Sequence, residues 1–285
     1  MCDESTYEKV RREYEARGLV TRKQFGILLS AGIAMALPKV ANAQAVSESD
    51  VLVETPDGMC DAYFVHPSSG TAPGVVMWPD IFGLRPAFRD MGKRLAESGY
   101  SVLVVNPFYR IKKAPTASKG AATSFQEVMP QMQSLNEQTD MTDAKAFVAW
   151  LDQQASVADD KMMGAQGYCM SGRMALRTAA ANPDRVGAAA SFHGAGLVSD
   201  GPDSPHLQAA KTHAKFLIAI AESDDMQRPD EKNVLRKTFQ DAGVDAKVEV
   251  FAGTAHGWCP PDTSVYNEPS AEEAWAELLD LYKNL

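Results

Sequence analysis

From Asp50 to the C-terminus, short apolar runs alternate with longer stretches that have helical spacing, and this alternation constrains the fold more than any other feature. It is typical of β-α-β units, in which parallel strands form a central sheet and helices cover both of its faces. The predicted strands are residues 74–78, 101–105, 161–167, 187–192, 216–221 and 247–251, and the predicted helices are residues 87–97, 142–153, 173–181, 229–241 and 271–285. The sequence therefore predicts a three-layer α/β fold with a mostly parallel sheet.

The beginning of this region differs from the rest. Two short apolar runs, residues 51–54 and 62–65, flank Pro56-Asp57-Gly58, and this turn sequence predicts an antiparallel hairpin at the start of the sheet. Residues 111–140 have no strong period, which indicates loops and short helices beside an active site. Because no repeat or linker divides the chain, we expect one domain over residues 44–285.

The first 43 residues have the order of an export signal. A polar leader precedes Thr21-Arg22-Lys23-Gln24-Phe25, an apolar run covers residues 26–37, and Ala41-Asn42-Ala43 ends the segment. The basic motif resembles a twin-arginine signal whose second arginine is lysine, and the apolar run of about a dozen residues is shorter than the roughly 20 that span a bilayer. We expect cleavage after Ala43 and a periplasmic or secreted bacterial protein with no membrane span. An ordinary secretory signal and an uncleaved amphipathic anchor are the alternatives.

Charge and cysteine content narrow the possible partners. The chain has 285 residues and a net charge of −9, so no basic excess exists to neutralise nucleic-acid phosphates or an anionic membrane. We expect a monomer that binds a small molecule. Cleavage of the signal would leave Cys60, Cys169 and Cys259, and an odd number implies at least one free thiol. A disulfide between Cys60 and Cys259 stays open, because the sequence does not give the distance between them.

The segment around Cys169 carries the strongest chemical signal. A predicted strand ends in Gly167-Tyr168-Cys169-Met170-Ser171-Gly172, and a predicted helix follows. A nucleophile elbow needs small residues around its central residue, because the sharp strand-to-helix turn leaves no space for side chains. Cys169 would be the nucleophile, favoured as a thiolate by the helix N-terminus, and the backbone N–H of Met170 would stabilise an oxyanion. Ser171 departs from the usual second glycine, and an ordinary buried cysteine is the alternative.

An acid and a base follow Cys169 in the order that an elbow of this kind requires. Asp224 and Asp225 lie just beyond the end of one predicted strand, in the segment Glu222-Ser223-Asp224-Asp225, and His256 lies between two glycines in the loop after the next strand. His256 would take the proton of Cys169, and Asp224 would fix the tautomer of the ring. Taken singly, the acidic pair could be a solvated turn and His256 a hydrogen-bonded loop histidine. Taken together, the three placements predict a catalytic triad of Cys169, Asp224 and His256.

Several motifs together resemble the dienelactone hydrolase family of α/β-hydrolases, over essentially the whole chain from Asp50. They are Trp78-Pro79-Asp80-Ile81-Phe82-Gly83-Leu84, Arg94-Leu95-Ala96-Glu97-Ser98-Gly99-Tyr100, Asn106-Pro107-Phe108-Tyr109-Arg110, Gly167-Tyr168-Cys169 and His256-Gly257-Trp258. The resemblance implies an α/β-hydrolase fold and hydrolysis of a small carboxylic ester or lactone through a thioester at Cys169. The sequence has no motif for a metal or an organic cofactor, so we expect none to be required.

The resemblance also implies roles for residues outside the triad. Asp80 stands where the family has a glutamate that contacts the resting thiol, although an aspartate could instead cap the turn at Gly83. Ile81 would supply the second N–H of the oxyanion hole. Arg110 matches an arginine that binds a substrate carboxylate, or it could be a surface ion pair. The partner arginine is replaced by Pro260, which weakens the case for dienelactone itself and leaves Arg110 to recognise an acidic substrate.

Two other functions are compatible with these residues. A catalytically idle homologue that binds a ligand would explain the departures at Asp80, Ser171 and Pro260, but not the presence of all three triad residues. A thioesterase, peptidase or acyltransferase would use the same triad on another acyl group, because the chemistry at the thiol is shared.

Overall fold

The computed structural model describes residues 36–285, and its centre is one sheet of eight strands in the order β1-β2-β4-β3-β5-β6-β7-β8. The strands are β1 (Val46–Thr55), β2 (Gly58–Pro67), β3 (Gly74–Trp78), β4 (Ser101–Val105), β5 (Met163–Tyr168), β6 (Val186–Phe192), β7 (Lys215–Ala221) and β8 (Ala246–Phe251). The strands from β3 to β8 are all parallel, whereas β2 is antiparallel to both β1 and β4. The predicted hairpin and the mostly parallel sheet are both confirmed.

Helices cover the two faces of the sheet. They are α1 (Pro86–Glu97), α2 (Phe125–Met132), α3 (Glu137–Leu151), α4 (Gly172–Ala181), α5 (Pro205–Ala209), α6 (Glu222–Gln227), α7 (Glu231–Ala242) and α8 (Glu268–Tyr282). The apolar sides of α3, α4 and α7 are buried in one core cluster, and those of α1 and α8 in a second cluster. Alternate residues of β3 point into the two clusters, with Trp78 in the first and Met77 in the second. This arrangement is the predicted three-layer α/β fold.

Two helices begin several residues before the starts that the sequence predicted. Helix α3 begins at Glu137 rather than at residue 142, because the Asn136 side chain accepts from the backbone N–H of Thr139 while the Thr139 hydroxyl accepts from that of Asn136. Helix α8 likewise begins earlier than predicted, at Glu268, because Asn267 accepts from the N–H of Ser270.

The order of the strands brings the predicted site residues to one edge. Strand β3 has β4 on one side and β5 on the other. After β3 the chain adds β4 on one side, then crosses over and adds β5 on the other, so the strand order reverses between β3 and β5. Open α/β sheets bind their ligands at such a switch point, outside the carboxyl ends of the strands. Ile81 follows β3 and Cys169 follows β5, so these two residues flank the switch point.

Most of the predicted export signal, residues 1–43, lies outside the described residues. The signal therefore stays a prediction, as do its cleavage and the periplasmic location. No helix within residues 36–285 combines the length and apolar character needed to cross a membrane.

Cys60, Cys169 and Cys259 are all free thiols, with Cys60 in the first core cluster and Cys259 in the second. The structure therefore leaves Cys60 and Cys259 unpaired.

Candidate active site

Cys169 lies at a sharp turn between β5 and α4. Its backbone has a φ of +57° in the left-handed region, which a residue with a side chain rarely adopts. A short 3₁₀ turn, Cys169–Ser171, leads from this residue into α4. Strained backbone of this kind is concentrated at functional sites, and here it makes the side chain project from the end of the strand. The Cys169 side chain is half-buried, whereas Met170 and Ser171 on the same turn are buried.

The turn is possible only with glycines beside it. A Cβ atom on Gly167 would lie 2.0 Å from the carbonyl oxygen of Ser171, and one on Gly172 would lie 2.7 Å from the Cα of Gly194. Real Cβ contacts are essentially never this short, and a backbone atom stands in the way at both positions, together with the Ser191 hydroxyl at Gly172. The small residues that the sequence indicated around Cys169 are therefore a steric requirement of the turn.

Asp224 and His256 form a hydrogen-bonded pair at the same edge of the sheet. The Oδ2 atom of Asp224, on α6 after β7, lies 2.8 Å from Nδ1 of His256, in the loop after β8. The His256 backbone N–H donates to the hydroxyl of Ser223 at 2.9 Å, and the Ser223 N–H donates to the carbonyl of Thr254 at 3.2 Å. These bonds fix the histidine loop to the start of α6, so the imidazole has a defined position.

The surroundings of His256 favour its protonated form. Burial lowers the pKa of the ring, but the Asp224 carboxylate and the Cys169 side chain outweigh it, and the net pKa lies well above its usual value. Within residues 36–285, Nε2 of His256 makes no hydrogen bond of normal geometry, although Cys169 is close enough to affect the pKa of the ring. Catalytic hydrogen bonds are often loose without substrate. His256, paired with Asp224, can accept a proton from the Cys169 thiol.

The backbone N–H groups of Met170 and Ile81 are the ones predicted to form an oxyanion hole. Met170 is in the first turn after Cys169, where a helical N–H has no acceptor within the helix. Ile81 occupies the second position of a β-turn that the N–H of Gly83 closes by donating to the carbonyl of Asp80 at 2.9 Å. The N–H of Ile81 is not used to close the turn. Gly83 has a φ of +71°, and a Cβ there would lie 2.3 Å from Oγ1 of Thr116.

Asp80 has a partner that the resemblance did not imply. The Arg85 guanidinium donates to Oδ1 of Asp80 at 2.6 Å and to Oδ2 at 2.9 Å, and the Phe82 N–H donates to Oδ1 at 2.9 Å. Arg85 is buried, and its Nε also donates to Asp262 at 2.6 Å. A guanidinium fork matches a carboxylate at both oxygens, and here Arg85 binds both oxygens of Asp80. The contact of Asp80 with the Cys169 thiol stays a prediction. The Phe82 contact is the turn capping weighed above for this aspartate.

Arg110 is also engaged by carboxylates of this chain. Its Nη1 and Nη2 donate to the two oxygens of the buried Asp143, each at 2.7 Å, and its Nε donates to Asp57 at 2.9 Å. The guanidinium also stacks on the ring of Tyr109 at 4.6 Å from the centroid. A substrate carboxylate would have to displace one of these two carboxylates, so the ion-pair interpretation describes Arg110 as it stands in the structure.

His193 belongs to the site but was not predicted from the sequence. It follows β6 directly, has a φ of +41°, and its ring lies 5.2 Å from the His256 ring, centroid to centroid. The side chain is buried, and neither ring nitrogen has a hydrogen-bond partner within residues 36–285. Burial, reinforced by His256, lowers its pKa well below the usual value, so His193 is neutral. Its position at a strand end was the available signal, since Cys169 follows β5 in the same way.

Comparison with known proteins identifies a family and agrees with the fold. The sequence pattern of the Dienelactone hydrolase family matches residues 60–285. Carboxymethylenebutenolidase of Rhodococcus opacus is 26% identical over 228 residues, which make up 77% of this chain and 85% of that protein. Among solved structures, a dienelactone hydrolase-like promiscuous phosphotriesterase from metagenomic libraries superposes with a TM-score of 0.70 at 21% identity, covering 85% of this chain and 99% of that one.

A more distant structure extends the comparison of the fold. Brefeldin A esterase, a bacterial homologue of human hormone sensitive lipase, has a TM-score of 0.61 at 16% identity and covers 92% of this chain and 82% of its own. The fold is therefore that of the α/β-hydrolases. The family match covers the sheet from β2 onward and includes every candidate site residue, and it identifies the family within this fold. The chain belongs to the dienelactone hydrolase family, whose members are carboxylic ester hydrolases.

Proposed function

We propose that this hydrolase cleaves a small carboxylic ester or lactone through a thioester at Cys169, with His256 as the base and Asp224 as its partner. The observation that carries the proposal is the 2.8 Å hydrogen bond between Asp224 and His256, at the sheet edge where Cys169 projects from a strained turn. Each residue then has a role that its surroundings favour, since an activated thiol, a base and an orienting carboxylate are the parts that acyl transfer needs.

The first half of the reaction acylates the enzyme. The Cys169 thiol gives its proton to Nε2 of His256, and the sulfur attacks the carbonyl carbon of the substrate. The carbonyl electron pair moves to the oxygen, where the N–H groups of Met170 and Ile81 donate to the resulting oxyanion. When the C=O bond re-forms, the C–O bond to the alcohol breaks, and the alkoxide takes the proton from His256. The product is a thioester on Cys169.

The second half releases the acid. A water molecule gives a proton to His256 as its oxygen attacks the thioester carbon, and the oxyanion forms again in the same hole. Collapse breaks the C–S bond, and the sulfur takes the proton back from His256. Asp224 stabilises the imidazolium in both halves, and this stabilisation is one cause of the raised pKa of His256. A neutral His193 against the ring adds no positive charge that would oppose this protonation.

We further propose that the preferred substrate carries no carboxylate. The charge of Arg110 is offset by Asp57 and Asp143, and a proline, Pro260, stands where the resemblance implies a second arginine. An acidic substrate would therefore exchange one carboxylate for another at Arg110, with little net gain. A neutral ester or lactone meets no such competition.

The triad is tested by hydrolysis of p-nitrophenyl acetate and a panel of lactones. We expect Cys169→Ala and His256→Ala to lower kcat/KM by about a thousandfold or more, as removal of a nucleophile or its base does. Cys60→Ala is the matched control, since it removes a buried thiol from the core and should retain activity. A Cys169→Ala protein with native turnover would contradict the proposal. A native protein without turnover, whose Cys169 reacts with iodoacetamide no faster than Cys60, would favour the idle binding protein.

The role of Asp224 is tested by the pH dependence of iodoacetamide alkylation at Cys169. Because the carboxylate raises the pKa of His256, Asp224→Asn lowers that pKa and returns the proton from the ring to the sulfur. At neutral pH we expect alkylation about tenfold slower or more, and at strongly alkaline pH, where hydroxide removes the proton, a rate equal to that of the wild type. Asp225→Asn is the control, because Asp225 pairs with Lys232 at 2.6 Å. Equal effects of the two substitutions at neutral pH would argue against the assignment of Asp224.

Substrate charge is tested with p-nitrophenyl butyrate and mono-p-nitrophenyl succinate, which differ by a terminal methyl group in one and a carboxylate in the other. We expect kcat/KM to be about tenfold higher for the butyrate, because the succinate carboxylate gives up its hydration without a free cation to bind it, which costs about one charge-assisted contact. Asp57→Asn, which removes one competitor at Arg110, should narrow this difference. A wild-type preference for the succinate that Arg110→Met abolishes would show instead that Arg110 binds a substrate carboxylate.

A further inference from the structure

Ser171 makes a contact that a glycine at the same position could not make. Its hydroxyl donates to the carbonyl oxygen of Pro79, and both residues are buried. Ser171 is the residue that departs from the usual elbow sequence, in which a second glycine stands at this position. The departure therefore adds one interaction to the turn, namely a hydrogen bond between the β5–α4 turn and the segment after β3.

This bond joins the two segments that carry the proposed oxyanion donors. Ser171 directly follows Met170, and Pro79 lies two residues before Ile81. Strands β3 and β5 are neighbours, with Trp78 opposite Gly167, so their last residues are held by the sheet. Beyond those residues the two backbones leave the sheet, and the bond from Ser171 to Pro79 spans the gap between them.

Each side of the bond is rigid on its own. On the elbow side, the close approach of Gly167 to the Ser171 carbonyl prevents the turn from moving toward the strand. On the other side, the Asp80 turn is closed by Gly83 and held by Arg85. The relative position of two rigid turns depends on the few contacts between them, and this hydrogen bond is one that lies next to both donors.

We propose that Ser171 is a positioning residue that sets the separation of the Met170 and Ile81 N–H groups in the oxyanion hole. The inference rests on the proposed function, because it concerns the same acyl-transfer site. Oxyanion stabilisation depends on donors held at hydrogen-bond distance before the charge develops. A hydrogen bond that fixes the spacing of two donors affects the transition state and leaves the thiol itself unchanged.

Two reactions of the same sulfur separate this role from a general structural one. With p-nitrophenyl acetate, the S–C bond forms while the carbonyl electron pair moves to oxygen, and collapse then expels p-nitrophenolate. With iodoacetamide, the S–C bond forms as the C–I bond breaks and iodide leaves, and no charge develops on an oxygen. Acylation therefore requires the oxyanion hole, whereas alkylation requires only the activated thiol.

The experiment measures both second-order rate constants in the full-length protein for Ser171→Gly, which restores the usual elbow glycine, and for Ser171→Ala. We expect acylation to slow by about tenfold in both variants, less than the 10²–10³ typical of deleting an oxyanion donor. Alkylation should keep the wild-type rate. Ser191→Ala is the control, because the buried hydroxyl of Ser191 has no hydrogen-bond partner within residues 36–285, and both of its rates should be unchanged.

The outcomes distinguish this inference from the proposed function. Acylation at the wild-type rate in Ser171→Gly and Ser171→Ala would overturn the positioning role while leaving the triad intact. Acylation and alkylation that fall together would also overturn it, because the substitution would then have damaged the thiol or the fold, which thermal unfolding of the variants checks. A wild-type protein that p-nitrophenyl acetate does not acylate at Cys169 would contradict the proposed function itself.

Discussion

The chemistry of this chain depends on a steric constraint, namely the absence of space around the turn from β5 into α4. The backbone atoms of Ser171 exclude a side chain at Gly167, and Gly194 excludes one at Gly172. With both glycines present, Cys169 adopts a left-handed backbone conformation and its sulfur projects from the sheet edge. The position of the thiol follows from backbone packing, and Asp224 and His256, which are proposed to act on it, follow the ends of the parallel strands β7 and β8.

Some charged groups near the site hold loops in place, whereas others take part in the proposed reaction. Arg85 joins Asp80 to Asp262, and so ties the loop after β3 to the loop that follows His256. Arg110 joins the hairpin at Asp57 to α3 at Asp143. Both guanidinium groups are held by carboxylates of the chain, and buried pairs of this kind fix geometry more than they add stability. The Asp224–His256 pair differs, because the Cys169 side chain also raises the pKa of its histidine.

Contacts between residues far apart in sequence mark the limit of what could be predicted from the sequence alone. The alternation of apolar runs and helical stretches gives the sheet and its layers, and strand ends suffice to locate Cys169, Asp224 and His256. The contacts of Arg85 with Asp262 and of Ser171 with Pro79 could not be found in this way. Arg85 meets Asp262 across 177 positions and Ser171 meets Pro79 across 92, and only the packed fold brings them together. The family resemblance likewise carries no information on Arg85, which binds both oxygens of Asp80.

If the Cys169 sulfur carries the acyl group during turnover, p-nitrophenyl trimethylacetate should leave that group on it, because the branched acyl group slows attack by water on the acyl-enzyme. The protein would be quenched in acid after the release of p-nitrophenolate, digested and analysed by mass spectrometry. We expect one trimethylacetyl group per chain on the peptide that contains Cys169, in amounts equal to the p-nitrophenolate released in the first turnover. Release of p-nitrophenolate with the label on another residue, or with no label on Cys169, would show that Cys169 is not the nucleophile.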